Sequence, residues 1–321
     1  MSENPDPDVL ILRGGAHGIP VAEYRDELRD RLPDHRIVLA RTPHQERELM
    51  QTTRVVSTTA IDEELLAHAE QLELFAGVAA GYSHLPLETF AEMGVTATTA
   101  SGIHAPNIAE QVLGYILAMT RRLREGWRRE QRHEWRHYQA GELKDSTVTV
   151  VGLGSIGQAI VQRLSGFEVE TIGVRYTPEK GGPTDEVIGF DSTEFHDALA
   201  RTDHLVIASP LTETTRGLID ADALETLPPN ATLTNIGRGP IVETDALINA
   251  IQKNQIGDVA LDVTDPEPLP PDHVLWQFEN VMITPHNAGH SPQHWPRLAD
   301  IVARNVRALD TGDELENVIQ L

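Results

Sequence analysis

Short apolar runs rich in β-branched residues recur along the chain and alternate with polar stretches that favour helices. The first hundred residues contain five such runs: DVLILRG, RIVLA, RVVSTTA, LELFAGVAA and GVTATTA. A second series follows the long helical stretch that starts near Pro106: STVTVVGLGSIGQAI, VETIGV, HLVIAS, ATLTNIG, GDVALDV and NVMITPH. Continuous apolar strands separated by helices are typical of parallel sheets covered on both faces. The alternation therefore predicts an α/β chain with two doubly wound parallel-sheet domains and a boundary near residue 100.

The composition is that of a globular protein, with 40% hydrophobic and 23% charged residues. Cysteine is absent, which excludes disulfides and thiolate metal sites. The N-terminal residues carry no basic segment before an apolar core, so we expect no secretory signal. The most apolar helical stretch, QVLGYILAMT, is too short to cross a bilayer. We therefore expect a cytoplasmic protein without a membrane partner.

The chain is strongly acidic, with 49 Asp and Glu against 26 Lys and Arg and a formal net charge of −23. Concentrated salt screens such self-repulsion, so we predict a protein from a salt-filled cytoplasm whose surface holds cations. Docking onto basic partners is the alternative, but it predicts clustered acids, and here they are spread along the chain. A charge of this sign also disfavours nucleic acid as a partner.

A glycine-rich loop lies between a β-branched run and a helical pattern in VTVVGLGSIGQAI. Gly152 permits a tight turn, Gly154 lets the backbone approach a pyrophosphate, and Gly157 lets the helix pack on the strand. Free N–H groups at the start of the helix would then face the phosphates. The context of strand, loop and helix predicts a dinucleotide site.

The end of the next strand lacks the acidic residue that usually binds the ribose 2′-hydroxyl in such a site. Arg175 stands there, followed by Tyr176 and Thr177. A guanidinium suits a 2′-phosphate, and the Thr177 hydroxyl adds a donor, so NADP(H) is the predicted cofactor, with NAD(H) as the alternative. Stacking of Arg175 on the adenine would instead tolerate both cofactors.

Three later strands each end in residues suited to catalysis. Arg238 lies between two glycines in TNIGRGPIVET, Asp262 and Glu267 lie in ALDVTDPEPLP, and His286 lies in NVMITPHNAGHS. Ligands of open parallel sheets bind beyond the carboxyl ends of the strands, where all four residues fall. Each residue alone has a structural explanation, but their succession behind a glycine loop predicts an active site.

These motifs resemble the D-isomer-specific 2-hydroxyacid dehydrogenase family over nearly the whole chain. The resemblance implies a Rossmann-like cofactor domain, a flavodoxin-like substrate domain to which the last helix returns, a cleft between them and a homodimer. We assign residues 1–100 and 288–321 to the substrate domain and residues 101–287 to the dinucleotide-binding domain. The family resemblance also implies the reaction, which is the reversible reduction of small 2-oxo acids to D-2-hydroxy acids.

The resemblance also implies roles for individual residues. Arg238 grips the substrate carboxylate and polarises the 2-oxo group, His286 is the general acid, and Glu267 pairs with its imidazole. Asp262 binds the nicotinamide carboxamide, and the backbone N–H groups of Ala80 and Gly81 form a second carboxylate anchor. The rest of the cofactor set is Ser155, Ile156, Ser209, Pro210, Thr215, Ile236 and Gly237. The residue after the histidine is Asn287, where the family usually has an apolar one.

Two alternatives stay open on the sequence: a glyoxylate or hydroxypyruvate reductase, and a cofactor-sensing protein that resembles a corepressor. The pattern HEWRH, from His133 to His137, has the spacing of a zinc motif but lies among arginines, so we predict no metal site. The surrounding basic stretch, RRLREGWRREQRHEWRH, is interpreted as a linker or dimer-interface helix with Trp127 and Trp135 packed.

Overall fold

The computed structural model describes residues 6–16, 18–82 and 84–320. The chain folds as two compact units, one formed by residues up to His104 together with those from His290 onward, the other by Ala105–Gly289. The sequence placed these divisions after residues 100 and 287. In the described part of the chain, no helix has the length and apolar character needed to cross a membrane.

The first unit contains a five-stranded parallel sheet with helices between its strands. Its strands are β1 (Val9–Ile11), β2 (Ile37–Leu39), β3 (Val55–Thr58), β4 (Leu74–Gly77) and β5 (Thr96–Thr98). Its first helices are α1 (Val21–Arg31), α2 (Pro43–Met50), α3 (Glu63–Leu66) and α4 (Leu87–Met93). The strand order β2-β1-β3-β4-β5 is that of flavodoxin-like sheets, as predicted.

The second unit contains a seven-stranded parallel sheet. Its strands are β6 (Thr147–Val151), β7 (Glu170–Val174), β8 (Glu186–Ile188), β9 (His204–Ile207), β10 (Thr232–Asn235), β11 (Val259–Leu261) and β12 (Val281–Ile283). Its helices are α5 (Ala105–Thr120), α6 (Leu123–Gln131), α7 (Ser155–Leu164), α8 (Ser192–Leu199), α9 (Ala221–Thr226) and α10 (Thr244–Gln252). The order β12-β11-β10-β9-β6-β7-β8 is the Rossmann arrangement, so the predicted fold class is confirmed.

The apolar runs predicted every strand of this sheet except β8. Two of its three residues, Glu186 and Val187, are only partly buried, and the strand closes the sheet at one edge. A short edge strand with a charged residue lacks the continuous apolar pattern of the central strands. The missed strand therefore reflects its position at the edge.

The last helix, α11 (His294–Thr311), packs against α1 in the first unit. Trp295, which is 2% exposed, stacks on Tyr24 with ring centroids 5.1 Å apart. The Tyr24 hydroxyl in turn bonds the hydroxyl of Ser57 on β3. An apolar helix face explains the return of the chain end to the first sheet.

The basic stretch forms α6 and a segment without regular structure that begins after Gln131. Trp127 is 56% exposed and Trp135 is 99% exposed. Both side chains are therefore largely uncovered in the single chain, and their packing in a dimer interface stays a prediction.

Candidate active site

The predicted reactive residues lie beyond the carboxyl ends of three adjacent parallel strands. Arg238 follows β10, Asp262 follows β11 and His286 follows β12. The last residues of these strands are in register, with Asn235 paired to Leu261 and Leu261 paired to Ile283. The three strands therefore end at one edge of the sheet, where ligands of this fold bind.

His286 and Glu267 form a close side-chain pair. The imidazole Nδ1 lies 2.7 Å from Oε1 of Glu267, and the side chains are 48% and 41% exposed. A carboxylate at Nδ1 fixes the ring orientation, so Nε2 is the nitrogen that remains for a ligand. This arrangement suits a histidine that donates and accepts a proton.

The backbone of His286 is in the left-handed region, with φ of 50°. A non-glycine residue rarely adopts this conformation, which costs roughly 1–2 kcal/mol. Its N–H donates to the carbonyl oxygens of Asp262, at 2.8 Å, and Thr284, at 3.0 Å. These bonds hold the strained backbone that carries the imidazole.

Asp262 is 2% exposed, and its carboxylate binds the loop that carries His286. Oδ1 accepts from the N–H of Asn287 at 2.8 Å and from the hydroxyl of Thr284, and Oδ2 accepts from the N–H of Ala288 at 3.0 Å. A carboxylate has about four acceptor positions, so one on Oδ2 is left for another donor. The predicted bond to a carboxamide is compatible with this arrangement and stays a prediction.

The loop of Arg238 is fastened by Asn235, a residue that the sequence did not single out. The Asn235 amide accepts from the N–H of Gly237 at 3.0 Å and donates to the carbonyl of Arg238 at 3.0 Å. The exposed guanidinium of Arg238 donates to the Gly237 carbonyl at 2.7 Å through one of its five N–H groups. A polar side chain at the end of a buried strand is the signal by which the sequence could have identified Asn235.

The glycine loop has the geometry that the motif predicts. Gly152 has φ of 100°, and a Cβ there would lie 2.7 Å from Cα of Ser209. A Cβ on Gly157 would lie 1.9 Å from the carbonyl oxygen of Gly152, so neither position accepts a side chain. Gly154 precedes α7, whose first N–H groups, on Ser155 and Ile156, have no partner within the helix.

A cavity of about 370 Å³ opens beside this loop. Eight predicted residues line it: Gly152, Gly154, Arg175, Tyr176, Thr177, Ser209, Pro210 and Thr215. The Ser209 hydroxyl is buried and bonds no other group among the described residues, which suits a polar ligand. These residues fit a bound dinucleotide, and the sequence missed five further lining residues: Leu153, Lys180, Phe190, Thr212 and Thr214.

The cationic end of this cavity is formed by Arg175 and Lys180. Arg175 is half-buried, and its guanidinium donates to the carbonyl of Gly181. Tyr176 is 82% exposed, and Thr177 precedes the 3-10 turn Pro178–Lys180. The chain has only three lysines, and Lys180 lies five residues after Arg175. This rarity was a signal by which the sequence could have identified Lys180 as part of the cofactor cavity.

The other predicted residues lie at several places in the chain. Thr215 donates to the carbonyl of Pro210 at 2.7 Å and so closes the loop after β9. Ile236 is 7% exposed and packs in the core, and Gly237 is buried. In the first unit, Ala80 and Gly81 are exposed and follow β4.

A larger cavity, of about 670 Å³, lies at the amino-terminal edge of the second sheet. Its lining includes Arg122, Arg124 and Asp258 and none of the predicted site residues. Burial raises the pKa of Asp258, and the neighbouring arginines oppose that shift.

Among the residues described, no group of three or more His, Cys, Asp or Glu is arranged to hold a metal ion.

Comparison with known proteins identifies the class. Residues 113–288 match the profile of the D-isomer specific 2-hydroxyacid dehydrogenase, NAD binding domain. A glyoxylate reductase of Thermofilum pendens is 34% identical over 263 residues, which cover 80% of this chain and 77% of the relative. A D-isomer specific 2-hydroxyacid dehydrogenase of Xanthobacter autotrophicus Py2, in complex with NADPH and MES, aligns with a TM-score of 0.81 and 24% identity over 98% of both chains.

A second similar structure is a probable 2-hydroxyacid dehydrogenase from Rhizobium etli CFN 42 in complex with NADP, HEPES and L(+)-tartaric acid. It is 26% identical, with a TM-score of 0.78 and 98% of both chains covered. The Rossmann sheet and its glycine loop agree with the NAD binding domain that this profile describes. The chain belongs to the D-isomer specific 2-hydroxyacid dehydrogenase family, as its motifs indicated, and is an enzyme of that family.

Proposed function

We propose that this enzyme reversibly reduces small 2-oxo acids to D-2-hydroxy acids and prefers NADPH to NADH. The observation that carries the proposal is the 2.7 Å pair of His286 and Glu267, placed after β12 and β11, with Arg238 after the adjacent β10. An acid–base pair and a guanidinium beside a dinucleotide loop suit reduction of a carbonyl next to a carboxylate.

Arg238 binds the substrate carboxylate in this proposal. Its planar fork offers paired N–H donors that match the two carboxylate oxygens. The bonds of Asn235 to both sides of the loop hold the backbone of Arg238, so the fork is presented in a defined direction. Ala80 and Gly81 are proposed to add backbone donors to the same carboxylate.

His286 gives a proton to the carbonyl oxygen from Nε2 during reduction and takes it back during oxidation. Glu267 at Nδ1 stabilises the imidazolium and keeps the ring oriented. The reduced nicotinamide supplies the hydride to C2 when it is bound. The overall reaction consumes one 2-oxo acid, one reduced cofactor and one proton.

The preference for NADPH is supported by the cations around the cofactor cavity. Arg175 occupies the place of the acidic residue that would repel a 2′-phosphate, and Lys180 and Thr177 line the same cavity. The similar structure from Rhizobium etli contains NADP. NADH remains the weaker cofactor in this proposal.

Replacing Arg175 with serine is expected to raise the NADPH dissociation constant by about 10- to 100-fold, because hydrogen bonds from a charged donor are lost. The NADH dissociation constant should change by less than about threefold, since its ribose carries no phosphate. Fluorescence titration with each cofactor measures the two dissociation constants and hence their ratio. Arg47→Ser removes the same charge from the exposed face of α2 and is the control. Equal weakening of both cofactors would instead assign Arg175 to support of the Gly181 loop.

The proposed reaction is tested by following NADPH oxidation with a panel of 2-oxo acids, including glyoxylate, pyruvate and hydroxypyruvate. We expect turnover with unbranched acids and D-products by chiral chromatography. The name of the Thermofilum pendens relative favours glyoxylate as a substrate, which the panel decides directly. Intact NADPH binding without turnover on any acid would contradict the proposal.

The salt requirement belongs to the same proposal. A formal net charge of −23 destabilises the fold in dilute buffer through self-repulsion, and molar potassium chloride screens it within about 3 Å. Running the panel in low and in molar potassium chloride should therefore give higher activity at high salt. A cytoplasmic location, a homodimer and cations held at the surface are the remaining parts of the proposal.

A further inference from the structure

A chain of two hydroxyls connects α5 to the carboxylate of Asp262. The Thr284 hydroxyl donates to Oδ1 of Asp262 and also contacts the hydroxyl of Tyr115. A hydroxyl has one proton, and Thr284 gives its proton to Asp262, so Tyr115 must donate to Thr284. The hydrogen bonds therefore run in one direction, from Tyr115 through Thr284 to Asp262.

Tyr115 is suited to be a permanent donor at the start of this chain. Its side chain is 6% exposed, and burial raises the pKa of the phenol above its ordinary value, although hydrogen bonds to Thr284 and Gln111 oppose part of the rise. The phenol therefore keeps its proton through neutral and moderately alkaline pH.

Asp262 in turn bonds His286 and the two residues that follow it. Its backbone carbonyl accepts from the N–H of His286 at 2.8 Å, and its carboxylate accepts from the N–H groups of Asn287 and Ala288. The Asn107 amide on α5 donates to the Ala288 carbonyl at 2.6 Å. Residues 286–288 are thus held in place, and with them the left-handed backbone of His286 that carries the imidazole.

We propose that Tyr115 and Thr284 are positioning residues for the acid–base histidine. This inference rests on the proposed function, because it assigns to the two hydroxyls an effect on the proton transfer by His286. Without the Thr284 hydroxyl, Oδ1 of Asp262 loses one of its two donors, and the carboxylate is free to rotate away from Asn287 and Ala288. The turn then samples other conformations, and Nε2 of His286 spends less time at the carbonyl oxygen.

The test compares Thr284→Val, which keeps the shape without the hydroxyl, with Thr284→Ser, which keeps the hydroxyl. Loss of one buried hydrogen bond is expected to speed amide exchange at residues 286–288 by about tenfold and to lower kcat by a similar factor. The KM for the 2-oxo acid should stay within about threefold, because Arg238 is unchanged. The solvent deuterium isotope effect on kcat should rise, and Thr284→Ser should restore all these readouts.

Thr234→Val is the matched control. Thr234 is buried on β10, and its hydroxyl bonds no group among the described residues. This change should leave the exchange of residues 286–288 and kcat near their original values. Tyr115→Phe provides a second variant with the same direction of change if Thr284→Val does not fold.

Unchanged exchange at residues 286–288 in both Thr284→Val and Tyr115→Phe would overturn the inference. Faster exchange with unaltered kcat and isotope effect would overturn it as well, because the turn would then have no influence on proton transfer. A parent enzyme that reduces no 2-oxo acid would contradict the proposed function and, with it, the effect on catalysis. The exchange comparison is independent of turnover, so the two failures are distinguishable.

Discussion

Replacing His286 with asparagine is expected to lower kcat for 2-oxo acid reduction by about 10²- to 10⁴-fold, the usual contribution of a general acid. Asparagine tolerates the left-handed backbone at this position, where φ is 50°, so the turn should survive the change. The NADPH dissociation constant should move by less than about threefold, because the imidazole is not a phosphate ligand in this proposal. Steady-state kinetics and fluorescence titration on the same preparation measure both quantities.

Glu267→Gln tests the partner of His286 and should lower kcat less than His286→Asn does. It keeps an oxygen 2.7 Å from Nδ1 but removes the charge that stabilises the imidazolium, so a smaller loss of about 10- to 100-fold is expected. His44→Gln, at an exposed histidine on α2, is the control and should be neutral. If His286→Asn keeps more than about a third of kcat, another group must supply the proton.

The two sheets were predictable because their central strands are buried on both faces. Such strands appear in a sequence as uninterrupted apolar runs, as in TVTVV of β6, whose five residues are all buried. The three-residue edge strand β8 lacks this signal, and neighbouring residues rather than its own sequence place it in the sheet. Strand order could be predicted only through the family resemblance, since local patterns do not encode which strands are adjacent.

The site was predictable only to the level of which residues follow which strands. The rule that ligands bind at carboxyl strand ends brought Arg238, Asp262 and His286 to one edge. The contact of Tyr115 with Thr284 joins positions 169 residues apart and depends on how α5 packs on the sheet. Lys180 was missed for a related reason, because no motif fixes the residue types of the 3-10 turn after β7.

The position of Asp262 after β11 leaves the role of its side chain open. The sequence placed it in the cofactor site, and the structure shows a carboxylate with three donors from residues 284–288. The remaining position on Oδ2 is compatible with a carboxamide donor, so one side chain can serve both the cofactor and the histidine turn. Substitution of Asp262 would change both functions together, and for that reason Thr284 is the better probe of the turn.

Replacing Arg238 with alanine is the second change with a large expected effect. Removing the charged partner of a desolvated carboxylate costs about 2–5 kcal/mol, so kcat/KM for the 2-oxo acid should fall by roughly 30- to 5,000-fold. Arg238→Lys keeps the charge without the fork and should recover only part of the loss, because one ammonium cannot bond both carboxylate oxygens in the same way. The substrate KM should rise in both variants.

Guanidinium added to Arg238→Ala gives the sharpest readout. A free guanidinium ion can enter the space left by the side chain, so millimolar guanidine hydrochloride should raise kcat/KM of Arg238→Ala and leave the parent enzyme unchanged. Arg216→Ala removes an exposed arginine of the same unit and should neither lose activity nor respond to guanidinium. A kcat/KM of Arg238→Ala equal to that of the parent would show that the substrate carboxylate is held elsewhere. The proposed chemistry would then lose its substrate anchor, because the proton donor reaches the carbonyl oxygen and the hydride donor reaches C2 only when the acid is fixed between them.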